Sequence, residues 1–376
     1  MLGLFYTIFD LLFPILLVVI IVLVASWIIR HRKKKHVLQD REWYFRLAFS
    51  REDAVSQLFF LLSFFFFGVT LLALNRDFGD LLSWRVILFI TSIVGLVGAY
   101  YFKIIYTLAF SLIGLAAWWG AQAMEWSDLQ GKDIKISAAF TGLVLIAILF
   151  YALGRLYERE MKLKRLALVF LILGIIPVTG VLFFLSTRQG IRILGHMTEG
   201  KPFFASWQIT LSLLVFAAAI VGVMLYAASK KLVPPLELIA VFCLAALFGV
   251  IAFLPEQFAR AGIGPPYSVG VHRGGLGLSG NELFWALVFN LAVFLELLGL
   301  ILAGYFKKER WLVNLGAFFL SLLIIVKYFD WFFTFLDKSV FFIGAGALLF
   351  MVGWFMERGR RYILQGIRSE PRQISQ

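Results

Sequence analysis

Residues 82–124 read LSWRVILFITSIVGLVGAYYFKIIYTLAFSLIGLAAWWGAQAM, and this nearly unbroken apolar stretch decides the fold. As one helix its 43 residues would be about 64 Å long, twice the ~30 Å hydrocarbon core of a bilayer. The stretch must therefore turn back on itself and form two spanning helices. We expect the turn at the interfacial corner formed by Tyr100, Tyr101, Phe102 and Lys103.

The rest of the chain has the same character. It has 376 residues, of which 61% are apolar and 15% are charged, whereas soluble domains carry about 25% charged residues. Apolar runs between charged connections predict eleven spans, at 3–29, 54–75, 82–102, 104–124, 136–154, 166–187, 206–228, 234–254, 282–306, 311–329 and 339–357. The predicted fold is an all-α, polytopic transmembrane helix bundle. The connections are too short for a soluble ATPase, kinase or nucleotide-binding domain.

The distribution of basic residues predicts the orientation of this bundle. Of the 35 Lys and Arg residues, 24 fall in one set of alternate connections and 11 in the other. The positive-inside rule then places the N-terminus outside and the C-terminus in the cytoplasm. Residues 1–53 form a spanning helix with a basic cytoplasmic loop, 54–361 form a ten-helix bundle, and 362–376 form a polar cytoplasmic tail.

A basic cluster follows the first predicted span. Its members are Arg30, Arg32, Lys33, Lys34 and Lys35. Each basic residue of such a cluster contributes about 1 kcal/mol to the attraction of anionic lipid. The other interpretation of the cluster is a stop-transfer anchor. In a polytopic protein the net charge of +13 is explained by the concentration of Lys and Arg on one side of the membrane. We therefore expect the lipid bilayer as a partner and no nucleic acid. Protein partners cannot be read from the sequence.

The longest external connection, 255–281, contains GLGLSG at 275–280, a formal G-x-G-x-x-G match. It lacks the preceding strand and βαβ unit of a dinucleotide site, so its glycines are assigned to tight turns. Tyr267, His272 and Arg273 make this loop the best external place for a ligand, and a plain structured loop is the alternative.

Motifs for catalysis or metal binding do not emerge from the sequence. The four histidines lack metal-ligand spacing, and Cys243 is the single cysteine. We find no G-x-S-x-G, H-E-x-x-H or P-loop, and we predict no cofactor and no metal.

Ionisable residues inside spans are functional candidates, because a buried charge costs at least about 2.5 to 3.5 kcal/mol. Glu296 lies about two-thirds of the way through the ninth span, with Asn290 six residues earlier. We expect Glu296 to face protein or a cavity, as a proton or cation relay or as a hydrogen-bonded helix contact. In the tenth span, Lys327 and Asp330 are three residues apart and can pair if the helix continues past Val326.

The C-terminal stretch 327–361 reads KYFDWFFTFLDKSVFFIGAGALLFMVGWFMERGRR. It resembles a widespread family of uncharacterised bacterial polytopic membrane proteins, a domain of unknown function, whose C-terminus joins a RYFD-like motif, a DKS or DRS helix start, a glycine-bearing final span and a basic ERRRR-like end. The matching positions are Tyr328, Phe329, Asp330, Lys338, Ser339, Phe342, Gly344, Trp354, Glu357 and Arg358. The resemblance implies the plasma (inner) membrane of a bacterium, and it implies no chemistry because the family has no established activity.

Three hypotheses for function follow. The leading one is transport or translocation of a small molecule, lipid or envelope precursor without an ATPase of its own. The alternative is a noncatalytic membrane subunit, sensor or scaffold of an envelope complex. The third is an intramembrane enzyme acting on a lipid-linked substrate, which no motif supports. A water-accessible cavity at Glu296 would favour transport, whereas a closed bundle would favour the subunit.

Overall fold

The structure is a computed structural model that describes residues 54–128, 135–158, 163–198, 200–253, 280–307 and 309–332, together with 343–344, 346–347, 349–354 and 357–358. The first predicted span, 3–29, lies outside these residues, and the last, 339–357, is described only in part. Within the described ranges every regular element is helical. The chain is an all-α, multi-pass membrane protein.

The described part of the chain contains ten α-helices and one short 3₁₀ turn, Phe203–Ala205. The α-helices are α1 Ala54–Asp77, α2 Trp84–Phe102, α3 Ile105–Asp128, α4 Ile136–Tyr157, α5 Lys164–Leu185, α6 Arg188–Met197, α7 Trp207–Ser229, α8 Pro235–Phe253, α9 Gly280–Phe306 and α10 Arg310–Phe332. All except α6 are long and apolar enough to cross a membrane. These nine helices confirm the second to tenth predicted spans to within a few residues.

The turn predicted inside 82–124 lies where the length argument put it. Helix α2 ends at Phe102, and Lys103 adopts the left-handed conformation with φ of 59°. The Ile104 amide then donates to the Ala99 carbonyl at 3.0 Å, a bond that closes the helix end before α3 begins at Ile105. The predicted corner is confirmed.

Helices α2 and α3 pack closely because each carries a serine three residues before a glycine. Ser92 and Gly95 lie on α2, and Ser111 and Gly114 lie on α3. A Cβ atom at Gly95 would clash with Ser111 Oγ, and one at Gly114 would clash with Ser92 Oγ. Small residues of this kind let two membrane helices approach backbone to backbone.

By internal contacts the chain divides into two units. Unit 1 comprises Met1–Val178 and Met197–Glu256, and unit 2 comprises Thr179–His196 and Gln257–Gln376. In unit 1, α4 is the central helix and packs against α3, α7 and α8. The most apolar 18-residue stretch of α4 is 78% buried, against 0% for α1, so α4 forms the core and α1 faces lipid. In unit 2, α9 packs along α10.

Candidate functional site

Unit 2 contains the C-terminal end of α5, where the chain turns from a spanning helix into the short helix α6. The last carbonyls of a helix have no intrahelical partner and need donors from elsewhere. The Thr187 hydroxyl accepts a bond from the Gly190 amide at 3.1 Å and caps the start of α6. Ser186, between the two helices, is only 2% exposed, so its carbonyl must find a donor within the protein.

Two side chains supply those donors. Asn290 Nδ2, on α9, donates to the Ser186 carbonyl oxygen at 3.2 Å and to the carbonyl of Ala286 in its own helix at 2.6 Å. Lys327 Nζ, on α10, donates to the same Ser186 oxygen. A cation at a helix C-terminus is favoured by the helix dipole, so Lys327 both satisfies the carbonyl and complements the charge of the helix end.

Glu296 is held by a different residue of α5. The Thr179 hydroxyl, which is completely buried, donates to Glu296 Oε1 at 2.7 Å. The other carboxyl oxygen, Oε2, is also buried and has no hydrogen-bond partner among the described residues. The carboxyl group of Glu296 therefore lies against protein, in an environment that satisfies one of its two oxygens.

Three of the four polar candidates of the sequence thus meet at one segment of α5. We define the Glu296 site as Thr179, Ser186, Asn290, Glu296 and Lys327. Asn290 and Glu296 lie about 240° apart around α9, at 100° per residue, yet they reach the same helix at two different levels. The fourth candidate, Asp330, lies in α10, which continues past Val326 to Phe332 as expected. Its side chain is outside the described residues, so pairing with Lys327 stays a prediction.

The contacts of this site also give the relative direction of the helices. Thr179 contacts Glu296. Ser186, seven residues further along the chain and just past the end of α5, contacts Asn290, which lies six residues before Glu296 in α9. Segment 179–186 and α9 therefore run in opposite directions. The alternation of the predicted spans requires this antiparallel arrangement for the sixth and ninth spans. The charge count places Lys327 on the outer side of the membrane.

Unit 1 contains a second polar cluster, which the sequence reasoning missed. Arg155 in the last turn of α4 is 5% exposed, and its Nε and NH2 atoms donate to Glu237 Oε1 and Oε2 at 2.5 and 3.2 Å. Tyr151 donates its hydroxyl to the same Glu237 Oε1 at 2.6 Å. Arg155 also donates to the Leu232 carbonyl at 3.3 Å and pairs with Glu158. We define this group as the Arg155 cluster.

Every guanidinium nitrogen of Arg155 has a partner in this cluster, which makes it a clamp between α4 and α8. Glu237 lies in the first turn of α8, where a carboxylate is favoured by the helix dipole. From the sequence alone, Arg155 is predicted only to be one of the basic residues of a connection. The signal that could have found the pair was Glu237 itself, since a lone acid at the start of one span can face a basic residue at the end of a neighbouring antiparallel span.

Contacts between connections in unit 1 agree with the predicted alternation of spans. The Lys135 amide donates to the Lys201 carbonyl at 3.1 Å, and these two residues lie in connections that the charge count places outside. The bond from Arg155 to the Leu232 carbonyl joins two connections that the charge count places in the cytoplasm. Both contacts therefore join connections of the same predicted side.

The remaining candidates lie outside the described residues. These are Tyr267, His272 and Arg273 of the external loop, and Arg30, Arg32, Lys33, Lys34 and Lys35 of the basic cluster. In the part of the chain that is described, no group of three or more His, Cys, Asp or Glu side chains is arranged to hold a metal ion. No protein-family model, no curated protein and no solved structure matches the chain. The function is therefore inferred from the Glu296 site.

Proposed function

We propose that the protein transports or translocates a small molecule, lipid or envelope precursor across the plasma membrane of a bacterium without an ATPase of its own. The observation that carries this proposal is the half-satisfied carboxyl group of Glu296 within unit 2. A carboxyl group at membrane depth costs at least ~2.5 kcal/mol to insert, and a purely structural contact to Thr179 would need only a hydroxyl or an amide.

The other residues of the site support the same function. Asn290 and Lys327 bring an amide and a cation to the Ser186 carbonyl just past α5, so segment 179–186 of unit 2 contacts a carboxyl group, an amide and a cation. Polar groups facing a bundle interior are typical of substrate and ion pathways in membrane proteins. Helix α1, which has no fully buried residue in its most apolar stretch, has instead the character of a lipid-facing wall.

The proposal is tested by uptake into proteoliposomes. Vesicles containing the purified protein are incubated with a small-molecule and lipid-precursor extract of bacterial cells, without an imposed ion gradient, then washed and analysed by mass spectrometry. We expect at least one solute class to enter faster than into protein-free vesicles. Glu296→Gln should slow that entry by at least about tenfold, the effect of ~1.4 kcal/mol on a rate.

Asp77→Asn is the matched control for this experiment. Asp77 is an exposed carboxyl group at the end of α1, so its replacement also removes one acid from the chain. Entry should be unchanged in this variant. Equal entry into wild-type, Glu296→Gln and protein-free vesicles would contradict the transport proposal and leave the membrane subunit as the function to test.

A further inference from the structure

We infer that Glu296 is a proton-binding site, loaded through the end of unit 2 at which Asn290, Ser186 and Lys327 meet. A role for this proton in driving solute transport rests on the proposed transport function. The binding of the proton itself can be measured without any substrate. The charge count places this end of the unit on the outer side of the membrane.

In the part of the chain that the structure describes, the carboxyl group of Glu296 has a hydrogen-bond partner at only one of its two oxygens. The Thr179 hydroxyl donates to Oε1, while Oε2 is buried and has no hydrogen-bond partner within the described ranges. Glu296 also makes no ion pair with any residue of those ranges. A buried carboxylate without a cation is costly, and the cost is removed when the group takes up a proton. Oε2 is the oxygen with a free position for that proton.

The described surroundings of Glu296 do not match the ligand set of calcium or magnesium. Calcium and magnesium take at least about six oxygen ligands, several of them carboxylates or carbonyls. Here the Thr179 hydroxyl, 2.7 Å from Oε1, is the hydrogen-bond partner that the described residues supply to the carboxyl group. The described residues hold no cluster of acidic or histidine side chains around Glu296. Among the described residues this arrangement suits a proton and offers too few oxygens for calcium or magnesium.

The polar cluster next to Glu296 lies on one side of it. Asn290 and the Ser186 carbonyl, which also binds Lys327, lie about one and a half to two helical turns away, beyond the apolar residues 291–295 of α9. In the opposite direction α9 reads LLGLILAG over 297–304, without a polar side chain. The polar cluster nearest to Glu296 along α9 therefore lies on the Lys327 side, and we assign proton entry to that side.

The charged and titratable groups near this region belong to α6, α9 and α10. Segment 179–185 of α5 has none, and α6, which follows Ser186, carries Arg188, Arg192 and His196. The described side chains of the packed helices α9 and α10 add Tyr305, Arg310, Lys327 and Tyr328. Of these, Lys327 is anchored on the Ser186 carbonyl, and Tyr305 and Arg310 lie towards the other end of the α9–α10 pair. Uptake forms an O–H bond at Oε2 and leaves the group neutral; release returns the proton to water and leaves the carboxylate bonded to Thr179.

The test uses dicyclohexylcarbodiimide, a membrane-soluble reagent that modifies protonated carboxyl groups. Wild-type protein in sealed, right-side-out membrane vesicles is treated at a series of outer pH values, and modified peptides are quantified by mass spectrometry. We expect Glu296 to be modified, and the modification to fall with rising outer pH, by about tenfold per unit once the group is mostly ionised. A change of luminal pH should have no effect.

Glu237 is the internal control, since its carboxylate is paired with Arg155 and should not be modified under the same conditions. Absence of modification at Glu296, modification that is independent of pH, or modification that follows the luminal pH would each overturn the inference. These results are separate from the uptake assay. Modification of Glu296 without solute entry would support the proton site and contradict transport. Solute entry without modification of Glu296 would support transport and contradict the proton site.

Discussion

Removal of Glu237 should destabilise unit 1 strongly, because it breaks the clamp between α4 and α8. The change deletes the acceptor of two guanidinium bonds of Arg155, at 2.5 and 3.2 Å, and the acceptor of the Tyr151 hydroxyl at 2.6 Å. Arg155 is 5% exposed and cannot be rehydrated without opening the helix end. Breaking a buried pair by removing one partner costs about 3–5 kcal/mol.

We expect Glu237→Leu to lie near the lower end of that range, about 3 kcal/mol, because Glu158 and the Leu232 carbonyl still contact Arg155. Arg155→Met should cost a similar amount, since it strands the carboxylate. The double variant should be nearly as stable as the wild type, because replacing both members of a buried pair with apolar residues is often neutral.

The assay is reversible unfolding of the purified protein in mixed micelles, followed by circular dichroism, for the wild type, the two single variants and the double variant. The double variant should lose at least about 2 kcal/mol less than the sum of the single variants. Lys164→Ala is the control, since Lys164 is an exposed cation on the same predicted side, and it should change the free energy of unfolding by less than about 0.5 kcal/mol. Additive losses in the double variant would refute the clamp.

Three further predictions follow from the same structure. Gly142→Leu should lower the free energy of unfolding by about 1–3 kcal/mol, because a Cβ atom there would clash with the ring of Trp119. Gly222→Leu is the control and should be tolerated, because a Cβ atom at that position meets open space. Equal losses of stability in the same micelle assay would contradict this packing. Asp330→Ala should destabilise the wild type more than it destabilises Lys327→Ala in that assay, and equal losses would mean that the two residues do not pair. Single cysteines introduced into a Cys243→Ser background should test the orientation with an impermeant thiol reagent in intact cells. Cysteines at cytoplasmic positions should be shielded, and those at external positions should be labelled. Labelling of position 34 or 308 from outside would overturn the predicted orientation. The cytoplasmic positions are Lys34, Arg159 and Lys308, and the external ones are Asp128, Gly274 and Asp337.

The spans and the turn at Lys103 could be predicted because they depend on length and polarity. A stretch of 43 apolar residues cannot cross a bilayer once, and the residues at its aromatic and basic corner are those that prefer the interface. The candidate residues Glu296, Asn290 and Lys327 were found for the same reason, since polar side chains at membrane depth are costly wherever they point.

The partners of these residues could not be predicted in the same way. Thr179 and the Ser186 carbonyl are chemically ordinary in the sequence, and they become partners only because α5 and α9 cross at the depth of Glu296. The Arg155 cluster depends likewise on which spans are neighbours, and α4 packs on α8, three spans away along the chain. Hydropathy fixes the depth of a residue in the membrane, but it does not fix which helix lies beside it.

The most direct test of the central claim is the access of water to position 296. Glu296→Cys is placed in a Cys243→Ser background, and its reaction with an impermeant, charged thiol reagent is followed in folded protein and after denaturation. Leu297→Cys is the control, because Leu297 is completely buried one residue away. A transport path through the Glu296 site predicts that position 296 reacts in the folded protein while position 297 reacts only after denaturation. Protection of both positions until the protein unfolds would mean a closed bundle, and would contradict transport through this site.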